Sequence, residues 1–204
     1  MRYLALSLFV LATPALAAAL AATPAVKDTS YRAADGTRVQ QLEVVVNAPP
    51  QKVWAALTTD AGFMGWAAPV AHVTLANDGM IEASYRLSAK LGDPDNIKNR
   101  IVAYVPNRML TLHNEHVPKG APFKPEVIGK IRTVILLDDL GDGRTRVTES
   151  GVGYGEGADF DDMYAHFRDG NGEEFTALAR YLEAGPTDWK AMAARMTASV
   201  GAKN

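Results

Sequence analysis

Residues 42–46, LEVVV, read as a strand, and the period of the apolar positions changes directly after them. In the run VWAALTTDAGFMGW, residues 53–66, Val53, Ala56 and Leu57 recur at i, i+3, i+4, and Pro49 and Pro50 suit the first turn of a helix. Thr59 or Asp60 can cap a second short helix carrying Phe63 and Trp66. Residues 71–75, 80–87, 97–105 and 109–117 are then predicted as successive strands. Asn77-Asp78-Gly79 and Pro106-Asn107 are hairpin turns between them, and 88–96 is a longer junction. The stretch 119–125, with Pro118, Pro122 and Pro125, cannot hold a ladder and is expected to be a loop. Residues 131–137 are nearly all apolar, as in a strand covered on both faces, and Gly141-Asp142-Gly143 turns them into a last strand over 145–154. From 159 to 183, Phe160, Tyr164, Phe167, Phe175, Leu178 and Leu182 return at helical spacing and predict a long helix with one stripe on the sheet. Gly170 and Gly172 fall inside it, each at a cost of ~1 kcal/mol against Ala, and invite a bend. Gly185-Pro186 stops it, after which Thr187 can cap one more helix with Trp189, Met192, Met196 and Val200 along one face.

One strand, two short helices, a long meander and a long helix near the end make an order that resembles the SRPBCC or START-like helix-grip superfamily. Within it the chain is most similar to homologues of the heat-shock chaperone ATPase activator and related polyketide cyclase-like proteins, whose members read roughly VW..LT followed by a Trp about a dozen residues after the first, as Trp54 and Trp66 do here. The segment GNGEEFTALARYLEAG, residues 170–185, looks like the closing helix of that family, with Asn171 or its neighbours where members commonly have a Trp. The resemblance implies an α+β helix-grip fold: a curved antiparallel sheet of about six or seven strands around the long C-terminal helix, with the two short helices closing one end. It also implies an apolar cavity between sheet and helix, the ordinary shape of a small-molecule site. The superfamily holds ligand carriers, cyclases and adaptors, so three functions follow as expectations. The first is a non-enzymatic binder of a hydrophobic small molecule or lipid; the others are a cyclase or dehydratase-like enzyme and a protein-interaction adaptor.

The organisation expected is a signal peptide over 1–21, a polar, irregular leader over 22–37, the domain over 38–185 and a helical extension over 186–204. Arg2, a short apolar run over 3–12 and small residues before Ala17 or Ala21 make the signal, and the run is too short for a span of ~20 residues. Periplasmic or secreted localisation, with no stable membrane anchor after processing, is the consequence. A chain with no Cys has neither disulfides nor the lipid-bearing Cys of a bacterial lipoprotein. A net charge of −2 with scattered Lys and Arg argues against a nucleic-acid partner. The last helix either packs on its own domain or offers a stripe for a homodimer.

His113-Asn114-Glu115-His116 is the densest polar cluster, but alternate residues of a strand point to opposite faces, so its two His cannot share a metal ion locally. With Leu110 and Leu112 inward, parity carries Asn114 and His116 inward and leaves His113 and Glu115 to solvent. Residues 138–149, DDLGDGRTRVTE, match a calcium loop in part, but Leu140 stands at a ligand position and the flanks are strands, so a hairpin explains them better. No metal or cofactor is expected. Glu149 shares parity with Val147; as a carboxyl in an apolar cavity it would be a candidate acid or base, and otherwise it pairs with an Arg or lies at the cavity mouth. Trp66, Tyr85, Asn114, His116, Glu149 and Phe167 are the expected ligand-binding set, with Glu149 and His116 as acid and base if the protein is an enzyme. Asp162 and His166, four apart, are expected to pair on the helix surface, and Trp54 is expected in the core.

Overall fold

The computed structural model describes residues 24–201. Strand β3 (Arg38–Val46) leads into α1 (Pro50–Thr58) and α2 (Asp60–Trp66), and β4 (Val70–Val73) then opens a meander. The meander continues through β5 (Met80–Ser84), β6 (Ile97–Val105), β7 (Met109–His116), β8 (Arg132–Asp139) and β9 (Thr145–Tyr154). The long helix α4 (Ala158–Ala184) and the helix α5 (Trp189–Gly201) follow. Consecutive strands from β4 to β9 pair antiparallel, and β9 then pairs with β3, so the first long strand closes the sheet on the side away from β4. The pair α1–α2 therefore crosses from one edge of the sheet to the other. The result is a curved antiparallel sheet with a long helix on it, the helix-grip arrangement.

The leader is not irregular throughout: β1 (Lys27–Asp28) and β2 (Tyr31–Arg32) pair with β3 at the sheet edge, where two residues suffice to cover part of the open N–H and C=O row. A single helical turn, α3 (Pro125–Ile128), ends the proline-rich loop, and Pro125 at its start has no amide to leave unbonded. Helix α4 runs unbroken through Gly170 and Gly172. Val44, Val46, Val53, Leu57 and Leu178 are almost fully buried together, so α1, β3 and the second half of α4 share one core.

Thr59 caps α2 by accepting from the Gly62 amide at 3.0 Å. Asp60 instead accepts from the Val73 amide at 2.7 Å and meets His72 Nδ1 at 2.9 Å, tying α2 to β4. Gly65 is needed for close approach, because a Cβ there would stand 2.3 Å from the Tyr181 ring of α4. α5 docks on the same corner: Trp189 Nε1 donates to the Met64 carbonyl at 2.6 Å, and the Thr187 amide to Gly65 at 2.8 Å. Asp188, not Thr187, supplies the cap, accepting from the Ala191 amide at 2.9 Å. Met192 of this helix is exposed, while the side chains of Met196 and Val200 and the signal peptide expected over 1–21 lie outside the described residues. Among the described residues no helix is long and apolar enough to cross a membrane.

Candidate functional site

Between the inner face of the sheet and α4 lies a cavity of about 530 Å³. Three devices in the sequence leave it open. Gly151 and Thr133, opposite one another on β9 and β8, put little side chain on the floor. The loop over residues 117–123 arches over one end instead of filling it. On α4, Asn171 and Glu174 replace apolar residues in the stripe that packs on the sheet.

Glu149 sits on the floor between Leu42 of β3 and Ile135 of β8, its cross-strand partners, and one residue pair along from fully buried Val147. Desolvation in these surroundings, and then the charge of Glu174, push its carboxyl up to about 8. No Arg meets it. Asn171 Nδ2 donates to Glu149 Oε1 across the cavity, so α4 and β9 are linked through this acid. Burial likewise raises Glu174, opposed by the hydroxyl of Tyr85, which donates to Glu174 Oε1 at 2.8 Å. The phenol of Tyr85 is held above the ordinary range by the charge of Glu174 first and by desolvation of its hydroxyl end second, although 61% of the residue's surface is exposed. Tyr154, on the same wall, is raised by burial and by Glu149.

Of the residues expected at the site, Trp66, Tyr85, Asn114, Glu149 and Phe167 border this cavity. Trp66 is also buried to 7% exposure and anchored by its Nε1 donating to the Ala56 carbonyl at 3.0 Å, so it is a wall more than an opening. Asn114 donates to Asn99 Oδ1 at 3.0 Å, and its own Oδ1 is buried without a partner. Phe167 stacks on Phe123 of the overarching loop, ring centres 5.2 Å apart.

His116 does not join them. The β6–β7 register pairs Asn99 with Asn114 but Lys98 with His116, which skips Glu115 and makes a bulge. Cross-strand partners share a face, so one extra residue turns His116 to the side of Lys98, and the parity carried from Leu112 ends at Asn114. His116 borders instead a second hollow of about 650 Å³ beside the 117–129 segment, together with His113 and Glu115. There the polar groups mostly satisfy one another. Arg100 hydrogen-bonds Glu115 and reaches Asp78 at 3.1 Å, while His113 lies 3.2 Å from Arg100 and 2.9 Å from the Gly129 carbonyl. A guanidinium only donates and a carbonyl only accepts, so His113 is protonated at Nε2. His113 thus faces outward but is half-covered by the chain after α3. Larger volume notwithstanding, this hollow is the weaker candidate, because its charges are spent on each other while the acids of the inner cavity are not.

Two polar residues of the cavity wall escaped the sequence reading. Phe167, Asn171, Glu174, Leu178 and Leu182 are spaced 4, 3, 4 and 4 along α4, so Asn171 and Glu174 are polar interruptions of the stripe itself. A polar residue in phase with a buried face is the signal that finds them. The expected Asp162–His166 pair is absent among the described residues, and His166 packs edge-on against Phe123 at 4.8 Å. Trp54 is buried and tilted against Tyr104. Among the described residues no group of three or more His, Asp and Glu is placed to hold a metal ion, and residues 138–149 form the β8–β9 hairpin with Gly141 and Gly143 at positive φ.

A sheet gripping a helix over a cavity of this kind defines the SRPBCC or START-like class. The chain belongs to the polyketide cyclase/dehydrase and lipid transport family, whose model matches residues 37–183. Among solved structures it is similar to the Aha1 dimer from Colwellia psychrerythraea, at 19% identity and TM-score 0.57, covering 72% of this chain and 97% of that one. CalU16 from Micromonospora echinospora gives 18% identity and TM-score 0.53, covering 81% and 86% respectively. Protein MLL2253 from Mesorhizobium loti gives 19% and 0.56, covering 74% and 100%. At these identities the likeness is one of fold. No curated protein matches the chain.

Proposed function

We propose that the protein is an exported, non-catalytic binder of a hydrophobic small molecule or lipid, held in the cavity between α4 and the sheet. The observation that carries this reading is a roomy cavity walled by Phe63, Trp66, Phe167 and Phe175, with polar groups at only a few points on its surface. The family description, which includes lipid transport, supports it. Trp66 provides the readout: titration of the mature protein with decanol should quench or shift its fluorescence saturably, and native mass spectrometry of freshly purified protein should show a copurifying small molecule. Absence of both would end the reading. Export is part of the proposal, with cleavage after Ala17 or Ala21; an intact mass that still includes Met1 would remove it. So is a homodimer through the last helix, where Met192 is exposed, and a monomer by light scattering would remove that.

Glu149 favours a second reading. A carboxyl pushed up to about 8 can hold or release a proton near neutral pH, as an acid–base step in a cyclase or dehydratase requires. Glu149→Gln separates the two. In a pure binder it keeps most of the affinity for a neutral ligand such as decanol, whereas in an enzyme it lowers turnover of the copurifying compound by roughly a hundredfold with binding little changed.

A further inference from the structure

We propose that the ligand of this cavity is an amphipathic amine, with an ammonium group seated between Glu149 and Glu174 and an apolar body along the aromatic wall. The proposal rests on the binding reading above and names its ligand class. Glu149 comes from the floor of the sheet and Glu174 from α4, so the two acids face one space from two elements. Each has a single described hydrogen bond, from a neutral donor to its Oε1: Asn171 to Glu149 and Tyr85 to Glu174. Among the described residues no ion pair involves either acid. Their second oxygens are not among the buried atoms without partners, so they remain open on the cavity side. Two like charges facing one apolar space oppose each other's ionisation, and a cation placed between them removes that penalty.

The unmet carboxylate oxygens of Glu149 and Glu174 are acceptors, and a ligand that complements them carries donors. An ammonium supplies up to three N–H groups and a positive charge, and Phe63, Trp66 and Phe175 nearby suit a cation or the apolar stem behind it. A fatty acid or phosphate would set a negative charge against the acids. Lys119 and His166 border the cavity as well, but both are exposed at its rim.

The groups facing Glu149 are Asn171 and Glu174 from α4 and Tyr154 from its own strand, with Leu42 and Ile135 beside it on β3 and β8. Amine affinity should therefore rise with pH from about 6 to about 9, as Glu149 loses its proton while an alkylamine keeps its own. The experiment compares decylammonium, decanol and decanoate, each below its aggregation limit, on the wild type and on the Glu149→Gln, Glu174→Gln double variant. Expected is decylammonium binding roughly tenfold or more tighter than decanol at about pH 8.5, decanoate binding most weakly, and the amine advantage vanishing in the double variant. A far-UV circular dichroism spectrum and a cooperative melting transition like those of the wild type certify that the double variant is folded, and decanol binding reports that its cavity is still present. If decanol binds but decylammonium gains nothing over it, or its advantage survives the double substitution, the amine proposal is overturned and the hydrophobic-binder reading stands. If none of the three binds, both fall.

Discussion

The two halves of α4 lie on the same sheet and do opposite things. In the C-terminal half, Phe175, Leu178 and Ala179 are at most 2% exposed and pack with the alternating valines of β3 and the inner face of α1. In the N-terminal half Met163 is fully buried against Val127, Ile128 and Ile131, but Phe167 is only half-buried, held by the loop ring of Phe123. Between them Asn171 and Glu174 look into the cavity. The stripe has the same spacing throughout, so what differs is the opposing surface: Val44 and Val46 fill the space beneath one half, while Gly151, Thr133 and Glu149 leave it open beneath the other. This domain packs the C-terminal half of the helix on its main core and leaves its cavity beneath the middle and N-terminal part.

The largest expected effect of a single substitution tests that division. Leu178→Ala removes a side chain with no exposed surface and should cost about 3 kcal/mol, whereas Phe167→Ala, opening onto space that is already empty, should cost only about 1 kcal/mol. Urea denaturation of both variants decides this, with Arg168→Ala as a near-silent control, since the ion pair of Arg168 with neighbouring Asp169 lies at the surface. Equal losses at Leu178 and Phe167 would erase the distinction between the halves.

The second effect is a pH dependence written into the open half. Glu149 binds its proton more tightly folded than unfolded, so the folded chain holds more protons between the ordinary carboxylate range and about 8. Stability from this group is fully present below the unfolded value and is lost as pH rises through about 8. The loss should be up to about 4 kcal/mol between about pH 5 and pH 9, and Glu149→Gln should remove it because the amide cannot ionise. Melting temperatures at about pH 5, 7 and 9 for the two proteins measure it. A wild-type slope that the variant retains would show that other groups carry it.

Much of the molecule was legible in the order of its residues, because period alone separates α1, the strands and α4, and because turns such as Asn77-Asp78-Gly79 and Pro106-Asn107 carry residues that tolerate positive φ, as Asp78 and Asn107 do. The inward side of Glu149 was legible by parity from Val147 across an unshifted register. His116 was not, since a bulge depends on how two strands pair and leaves no mark on either strand alone. Glu174 was hidden for a different reason. Charged residues on a helix are ordinarily its wet face, and only the phase of the neighbouring apolar residues places this one inside.

The smallest effect concerns the joint between the halves. Gly170 and Gly172 flank Asn171, and neither has any atom within 4 Å of where a Cβ would stand. Neither is at positive φ, and α4 is continuous across both. On backbone grounds alone, Gly170→Ala and Gly172→Ala should each stabilise the protein by about 0.5–1 kcal/mol, by narrowing the freedom of the unfolded chain and favouring helix. Chemical denaturation measures the gain, and decanol affinity should stay unchanged, because the substituted positions present only a methyl beside Asn171. A variant that loses stability would mean that α4 bends here in the folded protein. The cavity-bearing half would then move as a unit against the packed half, and the division drawn along the helix would be a hinge as well as a boundary.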